Sequence, residues 1–170
     1  MPAQKSGAAY SGFISSGILV AKLEGCEVVA VSRNQIHLDM AKKLGASKTI
    51  QFKKDQEKFL QNLKEKVGLL DSAIVFAPAD IVTDTAIKSV KKGGLVVIGT
   101  VGNIPNFVAF EEKTVRGTLI GSRQDMIDVV KIAQEKNLKV MSKTYPLEQA
   151  NEVLEKLKTS DVEARAVLIP

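Results

Sequence analysis

The sequence predicts an α/β protein: a doubly wound parallel sheet with helices on both faces. Three observations predict it. From residue 27 onward, short β-branched runs alternate with helical patterns, which is strand–helix–strand repetition. Glycines mark the connections, as at Gly45 and at the pair Gly93–Gly94. The core must be mostly aliphatic, because 45% of residues are hydrophobic, only 5% are aromatic and Trp is absent. Aliphatic strands suit a parallel sheet covered on both sides. At 170 residues the chain reads as a single domain.

The opening MPAQKSGAAYSGFISSG (1–17) has no strong strand run. A doubly wound sheet needs its first strand in the middle, so the first strand is expected to be atypical. EVVAVS (27–32) is a compact β-branched strand. NQIHLDMAKKLGA (34–46) follows as a helix with apolar positions at 36, 40, 41 and 44 and Gly45 as its stop. KTIQF (48–52) is a short strand, and DQEKFLQNLKEKVG (55–68) an amphipathic helix with Phe59, Leu60, Leu63 and Val67 on one face. LLDSAIVFA (69–77) is a buried strand. ADIVTDTAIKSVKKGG (79–94) is a helix expected to start at an Asp80 cap and end in the Gly pair, and LVVIGTVG (95–102) is the next strand. TVRGTLIGS (114–122) is another strand. RQDMIDVVKIAQEKN (123–137) is a helix with Asp125 near its start and lysine near its end, the order the helix dipole favours. The segment 139–170 reads as strand, Pro-led helix and final strand.

Charge and composition exclude several functions. The net charge is +5 and the pI about 9.3, with basic residues spread over the predicted helices as a solvated surface. Aromatic residues are not interleaved with them, so no platform for stacking nucleic-acid bases is expected. The single Cys26 rules out an intramolecular disulfide and a cysteine metal cage, and reads as structural. The single His37 reads as an exposed helical histidine. Asp71 and Asp80 flank a strand and read as turn and cap residues. No nucleophile–base pair stands out, so no catalytic residue is assigned. No stretch reaches the apolar length of a membrane span and no signal-peptide pattern opens the chain. The expectation is a cytoplasmic protein that does not bind membrane.

Four segments recur in a telling order: AVSR…AKKLGA, VKKGGLVVIGTVG, GTLIGSRQDM and YPLEQANEVLEKLKTSDVEARAVLIP. From Glu27 to Pro170 the chain resembles the cofactor-binding half of the zinc-type, medium-chain alcohol dehydrogenases. The resemblance implies a Rossmann-like fold that binds a nicotinamide cofactor, with zinc ligands supplied by a separate catalytic domain. One Cys and one His cannot make a three-ligand catalytic zinc site, so zinc is not expected in this chain and no metal ligand is assigned.

The family's glycine-rich phosphate loop falls on AYSGFI (9–14), where Ala9, Ser11 and Ile14 occupy the glycine slots and Gly12 stands beside the second. Ser11 and Gly12 are the candidate phosphate contacts, with Ser15 and Ser16 as further small hydroxyl donors. Ile14 departs from the family, whose third glycine allows close packing of helix on strand. The ribose-reading position falls on Ser32, about 20 residues beyond Gly12. A carboxylate there would select NAD; Ser32 does not repel a 2′-phosphate, and Arg33 offers it a planar cation. Asn34 belongs to the same corner, and either Ser32 or Asn34 caps the next helix. NADP(H) is therefore the expected cofactor. By the same resemblance, Ala77 and Pro78 follow the fourth strand, Gly99, Thr100 and Val101 end the fifth, and Arg123 follows the family's G-S-R piece.

Three functions are compatible with this pattern. The chain is the cofactor half of an oxidoreductase, not catalytic alone and needing a separate catalytic domain; or an NADP(H)-binding interaction module; or a scaffold that has lost its cofactor. In all three the 114–122 strand is an exposed edge expected to pair across a two-fold axis as a homodimer.

Overall fold

A computed structural model of the chain describes residues 6–10, 15–53, 55–104, 107–138, 140–159, 161–162 and 165–170. They divide into two compact units, Met1–Ile127 and Asp128–Pro170.

The first unit is built on β2 (Glu27–Ser32), whose four central residues are buried. Val28 and Ala30 pack into one cluster with Ile18, Ala41 and Leu44, while Val29 and Val31 pack into another with Phe59, Leu63, Ala86 and Ile87. Period-two alternation places these pairs on opposite faces of the sheet. Helices α1 (Ser15–Leu23) and α2 (Gln35–Lys43) therefore cover one face, and α3 (Gln56–Lys66) and α4 (Asp80–Ser89) the other. Phe52 and Phe59 meet edge to face with ring centres 5.1 Å apart.

The remaining strands are β1 (Ser6–Tyr10), β3 (Lys48–Gln51), β4 (Leu70–Val75), β5 (Val90–Ile98) and β6 (Thr114–Gly117). All pair in parallel, in the order β3-β2-β1-β4-β5-β6. This is the Rossmann strand order, reversing between β1 and β4. The expected doubly wound sheet is present. Its first strand is as atypical as expected: SGAAY has weak strand propensity but lies between β2 and β4. Ladder bonds on both sides hold it extended, and tertiary context overrides propensity. At Gly7 an added Cβ would lie 3.2 Å from Ser72 Oγ.

Several expectations are corrected. The Gly pair does not end α4, which stops at Ser89; it lies inside β5. The register slips there, from Leu70 opposite Val90 to Ser72 opposite Leu95. Gly93 has a φ of +73°, which favours glycine. An added Cβ at Gly94 would strike the Val90 side chain and lie 2.8 Å from the Asp71 carbonyl. Asp71 is not a turn residue; it sits in β4 and forms an ion pair with Lys91. On α2 the buried positions are Leu38 and Ala41, with Leu44 just beyond, while Ile36 is exposed. The 114–122 strand is shorter than expected, since β6 ends at Gly117.

Helix α5 (Arg123–Glu135) begins in the first unit. In the second unit, β7 (Ser142–Pro146) and β8 (Arg165–Ile169) pair in parallel as a separate two-stranded sheet, linked through α6 (Ala150–Lys158). Two ammonium groups lie near the Tyr145 ring, Lys143 at 5.6 Å and Lys156 at 5.9 Å from its centre.

Candidate functional site

Parallel strands in register bring their carboxyl ends to one side of the sheet. Tyr10 pairs with Val31 and Val75, Val75 with Ile98, and Ile98 with Gly117. The turns after β2, β4, β5 and β6 therefore share that side, around the β1/β4 reversal where ligands of this topology sit. Ser11, Gly12 and Ile14 lie outside the described residues, while Ala9 falls within β1.

The turn after β2 is well fixed. Asn34 is the cap of α2, its Oδ1 accepting the Ile36 N–H at 3.0 Å. Of the two proposed caps it is the one the structure selects. Ser32 Oγ accepts the Asn34 N–H at 3.2 Å, and the Arg33 carbonyl accepts from Gln51 Nε2 at 3.1 Å. With its backbone held, the Arg33 side chain is exposed and its guanidinium pairs with no carboxylate among the described residues. It is a cation facing solvent on a held backbone. His37 is half-buried rather than exposed, and burial lowers its pKa.

Ala77 and Pro78 form the turn after β4, with Ala77 O accepting the Ala79 N–H at 2.9 Å. Ala79 is the residue preceding α4, and Asp80 is already helical, so Asp80 is not the cap expected from sequence. Its carboxylate reaches across to the loop after β5: Oδ1 accepts the Asn103 N–H at 2.9 Å and Oδ2 accepts from Asn103 Nδ2 at 3.1 Å. These bonds hold the Asp80 carboxyl below its ordinary pKa. The clasp ties down a loop that begins with Gly99, Thr100 and Val101.

Gly99 continues the ladder, its N–H donating to Val75 O at 2.8 Å. An added Cβ there would lie 2.6 Å from Phe76 Cε1, so the glycine seats that ring. Thr100 is half-buried and Val101 is exposed. Beyond β6, Ser122 and Asp125 form a reciprocal cap on α5. Asp125 Oδ2 accepts the Ser122 N–H at 2.6 Å, and Ser122 Oγ accepts the Asp125 N–H at 3.2 Å. Arg123 lies exposed in that turn, with no hydrogen bond or ion pair to another candidate among the described residues.

The structure thus joins Ser32, Arg33 and Asn34 in one corner and brings the 99–103 loop onto the start of α4. Sequence reasoning missed Phe76, Asp80 and Asn103. The Gly102–Asn103 pair just after a strand was the available signal, since such pairs mark tight turns. A separate groove of about 520 Å³ opens beside the edge strand β3, lined by Lys53, Asp55, Lys58 and Glu65 among others; its mixed charges select no ligand class. Among the described residues, no three His, Cys, Asp or Glu side chains are grouped to hold a metal, and no helix is long and apolar enough to cross a membrane.

Comparison with known proteins gives a consistent family. The profile of the zinc-binding dehydrogenases matches residues 15–135. An alcohol dehydrogenase of Geobacillus stearothermophilus is 30% identical over 155 residues, covering 87% of this chain and 45% of that protein. The D-arabinose 1-dehydrogenase (NADP(+)) of Saccharolobus solfataricus is 25% identical over 157 residues, covering 90% of this chain and 45% of that protein. The solved alcohol dehydrogenase of Aeropyrum pernix superposes with a TM-score of 0.85 at 23% identity, over 98% of this chain and 50% of that one. The chain spans about half the length of the relatives it matches.

Proposed function

The chain belongs to the zinc-binding dehydrogenase family of alcohol dehydrogenase-like oxidoreductase domains, and we propose that it is the NADP(H)-preferring cofactor-binding part of such an enzyme, not catalytic alone. The observation that carries this reading is the corner after β2. In place of a ribose-binding carboxylate it presents the Ser32 hydroxyl and, beside it, an exposed Arg33 guanidinium that pairs with no carboxylate among the described residues, on a backbone whose carbonyl Gln51 holds. A planar cation on a fixed backbone suits a 2′-phosphate, and a carboxylate would repel one.

The corner after β2 and the turns after β4 and β5 suit a dinucleotide. Arg33 and Ser32 would hold the 2′ group, and Ser11 and Gly12 the pyrophosphate. Ala77, Pro78, Gly99, Thr100 and Val101 would border the nicotinamide end, with the Asp80–Asn103 clasp fixing the loop, and Arg123 stands as a further cationic contact. When bound, the nicotinamide supplies a hydride donor or acceptor for the family's alcohol and carbonyl chemistry. This chain's own groups bind and orient it. One Cys and one His do not fit a catalytic zinc site, so no step through zinc is assigned here. A catalytic domain supplying metal and substrate pocket is the implied partner. A single cysteine suits a reducing compartment, and we place the protein in the cytoplasm on that ground.

Calorimetric titration of the chain with NADPH, NADP⁺ and NADH tests the reading. NADPH is expected to bind in the micromolar range, at least about tenfold (about 1.4 kcal/mol) more tightly than NADH, with the same loss in Arg33→Ala. Heats equal to buffer dilution for all three would leave a Rossmann scaffold without its cofactor.

A further inference from the structure

His37 is the chain's one histidine, and the structure places it against the cofactor corner. It lies in the first turn of α2, half-buried, with Nδ1 3.5 Å from Ser32 Oγ, the outer limit of a hydrogen bond. A hydroxyl has one proton to donate and two lone pairs to accept with. The Asn34 N–H occupies one lone pair of Ser32. The proton and the second lone pair remain, one for His37 and the other for whatever fills the corner.

The state of Nδ1 decides which goes where. When Nδ1 is bare it takes the Ser32 proton, and the hydroxyl faces the corner as an acceptor. That suits a ribose 2′-OH, which can donate, and opposes a phosphate, which cannot. When Nδ1 carries a proton it donates to Oγ, and Ser32 turns its own proton outward. That suits a 2′-phosphate. An imidazolium carries a proton on both nitrogens, so acid enforces the second state.

We propose that His37 is a positioning residue that acts through Ser32 to set the chain's preference between NADP(H) and NAD(H), favouring NADP(H) as His37 is protonated. The proposal rests on the cofactor reading of Ser32 and Arg33. The charged groups on the elements around α2 do not govern this proton. Lys22 of α1 lies against Gly45, past the far end of α2. Lys48 opens β3 at the opposite end of the strands. Asp39 accepts from Gln35 at 2.8 Å, and Arg33 points to solvent. Burial is the cause that lowers the His37 pKa, so protonation waits until below the ordinary histidine range.

The test is the ratio of NADPH to NADH affinity, measured by calorimetry on the full chain at about pH 8 and about pH 5.5, for the native chain, His37→Leu and Ser32→Ala. The phosphate's own second ionisation, near pH 6, weakens NADPH binding in acid for all three, so the variants supply the baseline. The native ratio, taken relative to that of His37→Leu, is expected to rise by about threefold or more from the higher pH to the lower. Ser32→Ala is expected to behave as His37→Leu does. His37→Gln, which cannot titrate, replaces His37→Leu should the latter fail to fold. Parallel pH profiles in native and His37 variants overturn the proposal alone. So does a native-like profile in Ser32→Ala, since His37 would then not act through that hydroxyl. Absence of binding by either cofactor overturns this proposal together with the cofactor reading.

Discussion

The Asp80 carboxylate grips Asn103 with both oxygens, and the grip has a definite pH dependence. Hydrogen bonds from Asn103 lower the folded pKa below the unfolded one. The clasp therefore contributes in full above the ordinary carboxylate range and is lost as pH falls through the depressed folded value. The Asn103 amide is expected to be protected from hydrogen exchange at pH 6 and to lose that protection in Asp80→Ala; equal exchange in both would remove the clasp from the account of the site. Gly99 makes a second prediction. A methyl there lands on the Phe76 ring, so Gly99→Ala should cost about 1–3 kcal/mol by overpacking. Phe76→Ala should relieve much of it, read as coupling in a double-mutant cycle by denaturant titration; additive losses would mean the ring and the glycine are independent. That Ser32, Arg33 and Asn34 share one corner was legible in the sequence, because they are consecutive and the corner is local. Asp80 was misread because a carboxylate at the start of a helical pattern has a local use as a cap, and only the fold shows that its partner is Asn103.

Among the elements, α4 departs furthest from the pattern that predicted it. Thr83, Asp84, Thr85 and Ser89 are buried, although polar residues normally mark the wet face of a helix. Thr83 Oγ1 and Asp84 Oδ1 find no hydrogen-bond partner among the described residues; the other buried polar atoms each have a specific one. Thr85 Oγ1 donates to Ile81 O at 2.5 Å, and Ser89 Oγ to Ala86 O at 2.8 Å. Gln56 of α3 donates to Asp84 Oδ2 at 2.7 Å and to Thr85 Oγ1 at 2.8 Å, while Lys88 bonds the same Asp84 oxygen. Gln56 is thus a polar link between the two helices. Gln56→Ala should destabilise the chain by about 1–3 kcal/mol, because it leaves buried acceptors short of a donor. Gln61→Ala removes only the exposed bond to Glu65 and should stay within about 0.5 kcal/mol. Equal midpoints in urea for the two variants would deny the link. Strands β2 and β4, and β5 from Leu95 on, were legible because burial in the sheet writes apolar runs; the start of β5 was not, since VKKGG reads as the end of the preceding helix. The interior of β1 was not, since SGAAY owes its conformation to neighbours on both sides and not to its own propensity.

At the scale of the whole molecule, the strand order has a consequence for assembly. β6 is last in the sheet, so its outer backbone groups face no strand among the described residues. Such an edge is a template for another chain. The residues around it are not those of a protected edge: Leu119 is 91% exposed and Ile120 83%, with Phe110 at 88% a few residues before the strand. Large apolar side chains this exposed mark an interaction surface when they accompany an open edge. We propose that the occupant is a second copy of the chain, because β6 meeting itself about a two-fold axis satisfies both edges with one self-complementary contact and closes the assembly. Sedimentation should then give a mass about twice that of the 18.4 kDa chain. Replacing Leu119 and Ile120 by Lys should yield a folded monomer, since neither side chain is buried within the chain and like charges would meet across the axis. A native chain that sediments as a monomer at every concentration would rule the dimer out. So would a lysine double variant that remains dimeric, because the contact would then lie elsewhere. The β1/β4 reversal lies inside one chain, so dissociation should leave NADPH affinity within about twofold of the native value. A larger loss would mean that the second copy helps to hold the 99–103 loop, and would move part of the binding site from the single chain to the pair.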